Sequence, residues 1–169
     1  DVGSQLVVAP EMNTVNRFKW TGQQLFYWTA GGTTETSQMV MADRKYASRD
    51  TGPFPVRAMW AQSRSHSGYF VRADSPIKSL YDIKPGTKFA GMLNYLASMR
   101  IVDAFLAWAN VDPKDLDWVE GNSYKENVDS VMEGRCDVCF GIPTSPAVIA
   151  ADKDAIGIRW LDMNSDEDP

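Results

Sequence analysis

Short apolar runs alternate along this chain with amphipathic stretches of helical period, and that alternation constrains the fold more than any other feature. Strands that are each followed by a helix return to lie parallel to their neighbours, so the pattern predicts βα units stacked on a sheet. The first strand is expected at Gln5-Leu-Val-Val-Ala9, ended by Pro10. Asn13 to Trp20 is expected to form a short helix with Val15 and Phe18 inward, closed by Gly22. A second strand is expected at Leu25-Phe-Tyr-Trp-Thr29, then Ala30-Gly-Gly-Thr-Thr-Glu-Thr36 leading into a hydroxyl-capped helix to about Ser48, with Met39, Ala42 and Tyr46 on one face. Val56 to Gln62 and Gly68 to Arg72 read as further strands beyond the Pro and Gly cluster at 51–55.

Downstream, Asp74-Ser-Pro-Ile-Lys-Ser79 is a turn into a one-turn helix at Leu80 to Ile83, and Lys84-Pro-Gly86 reverses the chain before a strand from Lys88 to Leu93. Tyr95 to Asn110 is the longest helix, its apolar positions Met99, Val102, Leu106 and Ala109 spaced for a wide buried face. Trp118-Val-Glu120 is a strand, Ser123-Tyr-Lys-Glu126 a capping box, and the helix it opens stops at Gly134. A strand at Asp137 to Gly141, a short helix capped by Thr144, and a last strand at Ile156 to Leu161 complete the chain before an acidic tail.

A chain of 169 residues, 44% hydrophobic and 23% charged, has enough apolar surface for one domain or two small lobes and is not of disordered composition. Seventeen basic against 22 acidic residues give a net charge of −5, so the basic stripe that nucleic-acid binding needs is missing. No run approaches the roughly 18 to 20 apolar residues that cross a bilayer, so no direct membrane insertion is expected. Residues 1–10 lack the basic start and apolar run of a signal peptide.

The two cysteines, Cys136 and Cys139, are spaced C-x-x-C. On a strand such residues point to opposite faces about 10 Å apart, beyond the roughly 7 Å between Cα atoms that a disulfide spans, so two unlinked structural cysteines are expected. With one histidine and no acidic loop pattern, neither a metal site nor a cofactor is expected. His66 lies among Ser63, Ser65 and Ser67, but sequence neighbours do not build a triad, and a polar turn is the simpler reading.

Ligands in α/β sheets gather beyond the carboxyl ends of strands, where loops hand over to helices. Four such handovers occur, at Pro10-Glu11-Met12, Gly31-Gly-Thr-Thr34, Asn94-Tyr-Leu-Ala-Ser98 and Pro143-Thr-Ser145. Hydroxyl and amide side chains at these places cap helices as readily as they bind ligands; their recurrence is the functional signal. The candidate contacts are Glu11, Gly31, Thr33, Thr34, Arg64, Asn94, Tyr95, Ser98, Thr144 and Ser145. Aromatic residues make up 11% of the chain, and Tyr95, Trp60 and Tyr69 are candidates for a pocket wall, with core packing equally open for the last two.

Several of these segments resemble the TAXI family of solute receptors for TRAP-type transporters. Gly68-Tyr-Phe-Val-Arg-Ala-Asp-Ser-Pro-Ile-Lys-Ser-Leu-Tyr-Asp-Ile-Lys84 is similar to that family's strand, its DSxIKS turn and the start of its second lobe. Glu133-Gly-Arg-Cys-Asp137, Gly141-Ile-Pro-Thr-Ser-Pro146 and Gly157-Ile-Arg-Trp-Leu161 are similar to its xGxxDA step, PTSPA loop and GIRW strand. The DSPIKS pattern is shared with ABC-type receptors. Met92-Leu-Asn-Tyr-Leu-Ala-Ser98 lacks the glycines of the family's GxxGS loop, which leaves side chains to make the contacts there.

The resemblance implies a type 2 periplasmic-binding-protein fold, α/β, with two lobes of mostly parallel sheet flanked by helices and a ligand cleft between them. Residues 1–84 and 144–169 are expected in the first lobe and 85–143 in the second. Because the family is longer, the chain is expected to lack the opening βα unit and the C-terminal helices. The implied function is capture of a small organic solute, a carboxylate or amino acid, in the periplasm or outside the cell, and its delivery to a membrane permease without catalysis. An enzyme on a similar scaffold using Glu11 or His66, or the sensor domain of a larger receptor, are the alternatives.

Overall fold

The computed structural model describes residues 14–43, 48–50, 52–60, 66–91 and 96–162. The expectations placed on 5–9, Glu11, Arg64, Asn94, Tyr95 and the acidic tail lie outside them. Two compact units are present, residues 1–60 and 61–169.

In the first unit, α1 (Thr14–Gly22) buries Val15 and Phe18 as its spacing predicts. The expected strand at 25–29 does not form. After α1 the chain turns through Gln24 in the left-handed region, and the amides of Leu25 and Phe26 both donate to the Trp20 carbonyl, so this segment is folded back on the helix end. Leu25 is 65% and Tyr27 100% exposed. A strand needs a neighbour for its N–H and C=O groups, and none is present beside it among the described residues. The next helix, α2 (Thr33–Val40), begins within the segment expected to lead into it but ends well before Ser48, with Ala42 just beyond its cap at a φ of 52°. Residues 56–60 are also irregular rather than a strand.

The second unit holds one five-stranded sheet. Its strands are β1 (Gly68–Arg72), β2 (Lys88–Gly91), β3 (Asp117–Glu120), β4 (Val138–Gly141) and β5 (Ile158–Trp160), in the order β3-β2-β4-β1-β5. β2 runs parallel to β3 and β4, while β1 is antiparallel to β4 and β5, so the sheet is mixed where a mostly parallel one was expected. The cause is local. Asp74 to Asp82, including a single 3-10 turn at Leu80–Asp82, leads from β1 to β2 without a helix of the length that parallel crossovers use.

Three helices follow β2, β3 and β4: α3 (Leu96–Trp108), α4 (Tyr124–Met132) and α5 (Pro146–Asp152). Alternation along the strands sorts the core into two layers. Tyr69, Val71, Phe89, Val138 and Phe140 face one side with Val102 and Leu106 of α3. Phe70, Ala90 and Cys139 face the other with Val128 and Val131 of α4 and Val148 and Ala151 of α5. Both faces are covered, which is why β1 and β4 read as continuous apolar runs. Each buried Val, Leu or Phe among them contributes about 1.5–3 kcal/mol by leaving water.

β1 and β5, expected in a different lobe from β2, β3 and β4, share this sheet with them. Lys84-Pro-Gly86 is a tight reversal inside the unit, with Gly86 at φ 82° and its amide bonded to the Asp115 carbonyl, while the division between units lies at Trp60 and Ala61. Cys136 and Cys139 are free and buried, as expected, but both pack in the same layer because Cys136 precedes the strand instead of lying on it.

Candidate functional site

Since β2, β3 and β4 are mutually parallel, their carboxyl ends Gly91, Glu120 and Gly141 lie on one edge of the sheet. Gly68 pairs with Gly141, so His66 and Ser67 arrive at that same edge, and the Leu161 amide, bonded to the Tyr69 carbonyl, carries residues 161–162 toward it. The β3–α4 turn (121–123) and the β4–α5 turn (142–145) form its described loops. Here Thr144 is exposed and Ser145 half-buried, and Ser98 follows in the first turn of α3 beyond β2. These three sequence candidates therefore belong to one sheet edge.

The cap of α5 is Ser145, not Thr144 as expected: the Val148 amide donates to Ser145 Oγ at 3.4 Å, and Pro146 fits the first helical position. Ser145 Oγ is 3.3 Å from Tyr124 Oη, which accepts from the Ile142 amide at 2.8 Å. Sequence reasoning passed over Tyr124. The signal available was its place directly after the Ser123 cap, which sets it at the mouth of the β3–α4 turn. The cap itself is partly as predicted: Ser123 Oγ accepts from the Glu126 amide, but the Glu126 carboxylate accepts from Asn122 rather than from Ser123. Burial raises the Tyr124 pKa against the opposing influence of Ser145 and the Ile142 amide, so the phenol stays protonated at neutral pH.

Behind the edge, the buried Asn127 fixes the spacing of its loops. Its Nδ2 donates to the Gly91 carbonyl at 3.1 Å, joining α4 to the end of β2. A Cβ on Gly121 would lie 2.0 Å from Asn127 Oδ1, so the β3–α4 turn passes where no side chain fits. Gly141 ends β4 for a similar reason, a Cβ there meeting Phe70 and Trp160 below 3 Å.

Tyr69 is not at a pocket wall but in the core, 1% exposed, its ring edge-on to Phe105 at 4.4 Å. Trp60 belongs to the first unit, where it is 64% exposed and 6.0 Å from the Trp28 ring. His66 is exposed just before β1.

Gly31, Thr33 and Thr34 also belong to the first unit, at the start of α2. The Gly32 amide there donates to Glu35 Oε2 at 2.8 Å, so the chain's own carboxylate already occupies the N-terminal end of this helix. Glu35 is fully buried and its Oε1 has no hydrogen-bond partner. Among the described residues no group of metal-ligating side chains occurs, and no helix is long and apolar enough to cross a membrane.

A mixed sheet covered by helices on both faces is an α/β scaffold, and the family match assigns it to the type 2 periplasmic-binding-protein-like class. Residues 38–158 match the family described as ABC transporter, phosphonate, periplasmic substrate-binding protein, and the chain belongs to that family. It is a family of binding proteins rather than catalysts, and its members work on the periplasmic or extracellular side of the membrane.

Solved structures with a similar fold include a sulfonate-binding protein of a putative sulfonate ABC transporter from Methylobacillus flagellatus, at 22% identity and TM-score 0.47, covering 57% of this chain and 27% of that one. Another is a periplasmic binding protein from Brucella ovis with glutathione bound, at 16% identity and TM-score 0.45, covering 58% and 30%. An arginine transport periplasmic binding protein from Legionella pneumophila is similar at 11% identity and TM-score 0.40, covering 57% and 41%. The chain thus spans well under half the length of these proteins. No curated protein matches the chain.

Proposed function

We propose that this chain is part of an extracytoplasmic solute receptor that captures a small organic anion and passes it, unaltered, to a membrane permease. Family membership over residues 38–158 carries the reading. Phosphonates are the first class of solute to consider, with carboxylates and amino acids next. Thr144 and Ser145 at the sheet edge are the contacts favoured for it, with Ser98, in the first turn of the helix that follows β2, a further proposed contact. Glu11, Arg64, Asn94 and Tyr95 remain proposed contacts by their loop positions in the sequence, and Gly31, Thr33 and Thr34 by their place at the start of α2.

Delivery to an ABC permease follows the family match, whereas the Thr144-Ser-Pro-Ala147 and Gly157-Ile-Arg-Trp160 motifs favour a TRAP-type permease. The two differ in energy source. Thermal melting against phosphonates, sulfonates, carboxylates and amino acids tests the first part: a binder at 100 times its Kd gains about 2.7 kcal/mol, and mass spectrometry recovers the ligand unchanged. No shift with any class, or conversion of a panel member, overturns it. Uptake stopped by vanadate supports the ABC permease; uptake stopped only by collapsing the ion gradient supports the TRAP permease.

A further inference from the structure

Where the ladder between β2 and β4 ends, α4 takes over from it. The two strands pair through Phe89–Val138 and Ala90–Cys139. Beyond those pairs their exits are joined by Tyr124 and Asn127, three residues apart and so on one side of α4. Tyr124 Oη accepts from the Ile142 amide at 2.8 Å just past β4, and Asn127 Nδ2 donates to the Gly91 carbonyl at 3.1 Å at the end of β2. One helix start therefore braces both strand ends.

An amide is an unusual occupant of this position. Asn127 is 1% exposed, while Val128 and Val131 of the same helix pack into an apolar layer with Ala90 and Cys139. Desolvating the amide offsets much of what its bond returns, so stability alone gives it little advantage over an apolar side chain of its size; a directional bond adds a fixed geometry. Gly121 carries the same message. A Cβ there would lie 2.0 Å from Asn127 Oδ1, yet its backbone is not in the left-handed region, so the missing side chain answers to the amide and not to the turn.

We propose that Asn127 is a positioning residue for solute capture: by fixing the exit of β2 against α4 it sets where α3 begins, with Ser98 in its first turn, relative to Thr144 and Ser145 beyond β4. Asn127 is buried and acts through the backbone, not by touching the solute. This deepens the solute-receptor reading and rests on it. Without the amide the exit of β2 settles in several positions, and apparent affinity falls by the fraction of them that is competent to bind.

The test is calorimetric titration of the 169-residue chain with methylphosphonate, methanesulfonate, acetate and glycine, at a temperature where circular dichroism shows each variant folded. With the probes that the parent binds, Asn127→Ala is expected to raise Kd about 10-fold or more. Gly121→Ala keeps the amide but drives it out of place, and is expected to raise Kd as much. Combined, the two are expected to do no more than either alone, because both undo one contact. Ser130→Ala removes the other buried polar side chain described on α4, whose hydroxyl bonds within the helix to the Asn127 main-chain carbonyl at 2.7 Å. It is expected to lower stability while changing Kd less than about 2-fold. An unchanged Kd in the folded Asn127 and Gly121 variants, a combined loss equal to the product of the single ones, or a Ser130→Ala loss as large as theirs overturns the inference and leaves the receptor reading intact. Should Asn127→Ala not fold, Gly121→Ala against Ser130→Ala decides between the same outcomes. A parent chain that binds none of the four probes overturns both.

Discussion

Single residues explain why the edge of this sheet holds its shape. Asn127 is fully buried, and its side-chain amide joins α4 to the end of β2 while Gly121 leaves room for its oxygen. Asn127→Ala strips the Gly91 carbonyl of that buried donor, and is expected to cost about 1–3 kcal/mol in urea denaturation. A loss below about 0.5 kcal/mol would show that the Gly91 carbonyl finds another partner. None of this was legible from the sequence, where Asn127 looked like one more polar position on an amphipathic helix. Cys136 and Cys139 are unlinked as expected, but the strand alternation behind that expectation does not apply to them, because Cys136 precedes β4 and shares a layer with Cys139.

At the scale of elements, the motifs that carry the family resemblance turn out to hold one another. Arg159 of β5 donates to the carbonyls of Ala73 and Ile77 at 2.8 Å and of Ser75 at 2.5 Å, so the GIRW strand fastens the DSPIK turn. Asp137 likewise exchanges bonds with Lys88, its carboxylate accepting from the Lys88 amide at 2.8 Å and its amide donating to the Lys88 carbonyl, which aligns β4 with β2. These motifs mark the fold more than the ligand.

Asp82 closes the same turn by accepting from the amides of Lys78 and Ser79, and these bonds lower its pKa below the ordinary carboxylate value. The sign follows from linkage. A depressed folded pKa adds stability above the unfolded value of about 3.9 and loses it as pH falls through the folded one. Asp82→Asn is therefore expected to be less stable at pH 7 and to show a flatter fall in stability below pH 4 than the parent, measured by urea denaturation at each pH. An unchanged acid limb would remove Asp82 from the account.

At the scale of the whole molecule, the described elements of the two units differ in what holds them. Its central strands β2, β4 and β1 are buried on both faces and bonded on both sides, whereas α1 and α2 are short helices of 9 and 8 residues, near the length at which helices depend on outside packing. Amide hydrogen exchange on the intact chain is expected to be slowest at Phe70, Ala90, Cys139 and Phe140 and faster by orders of magnitude in α1 and α2. Equal protection in both units would contradict it.

The sequence by itself determined the helices, the buried strands of the second unit and their order along the chain, because apolar periodicity and cap chemistry are local properties. The class of scaffold was legible through the resemblance of its motifs to known solute receptors. Only the tertiary structure decided that β1 and β5 run antiparallel beside β4, that residues 25–29 form no strand, and that Tyr124 meets Ser145. Each of these depends on which neighbour supplies a hydrogen-bond partner, and a partner distant in sequence leaves no trace in local periodicity.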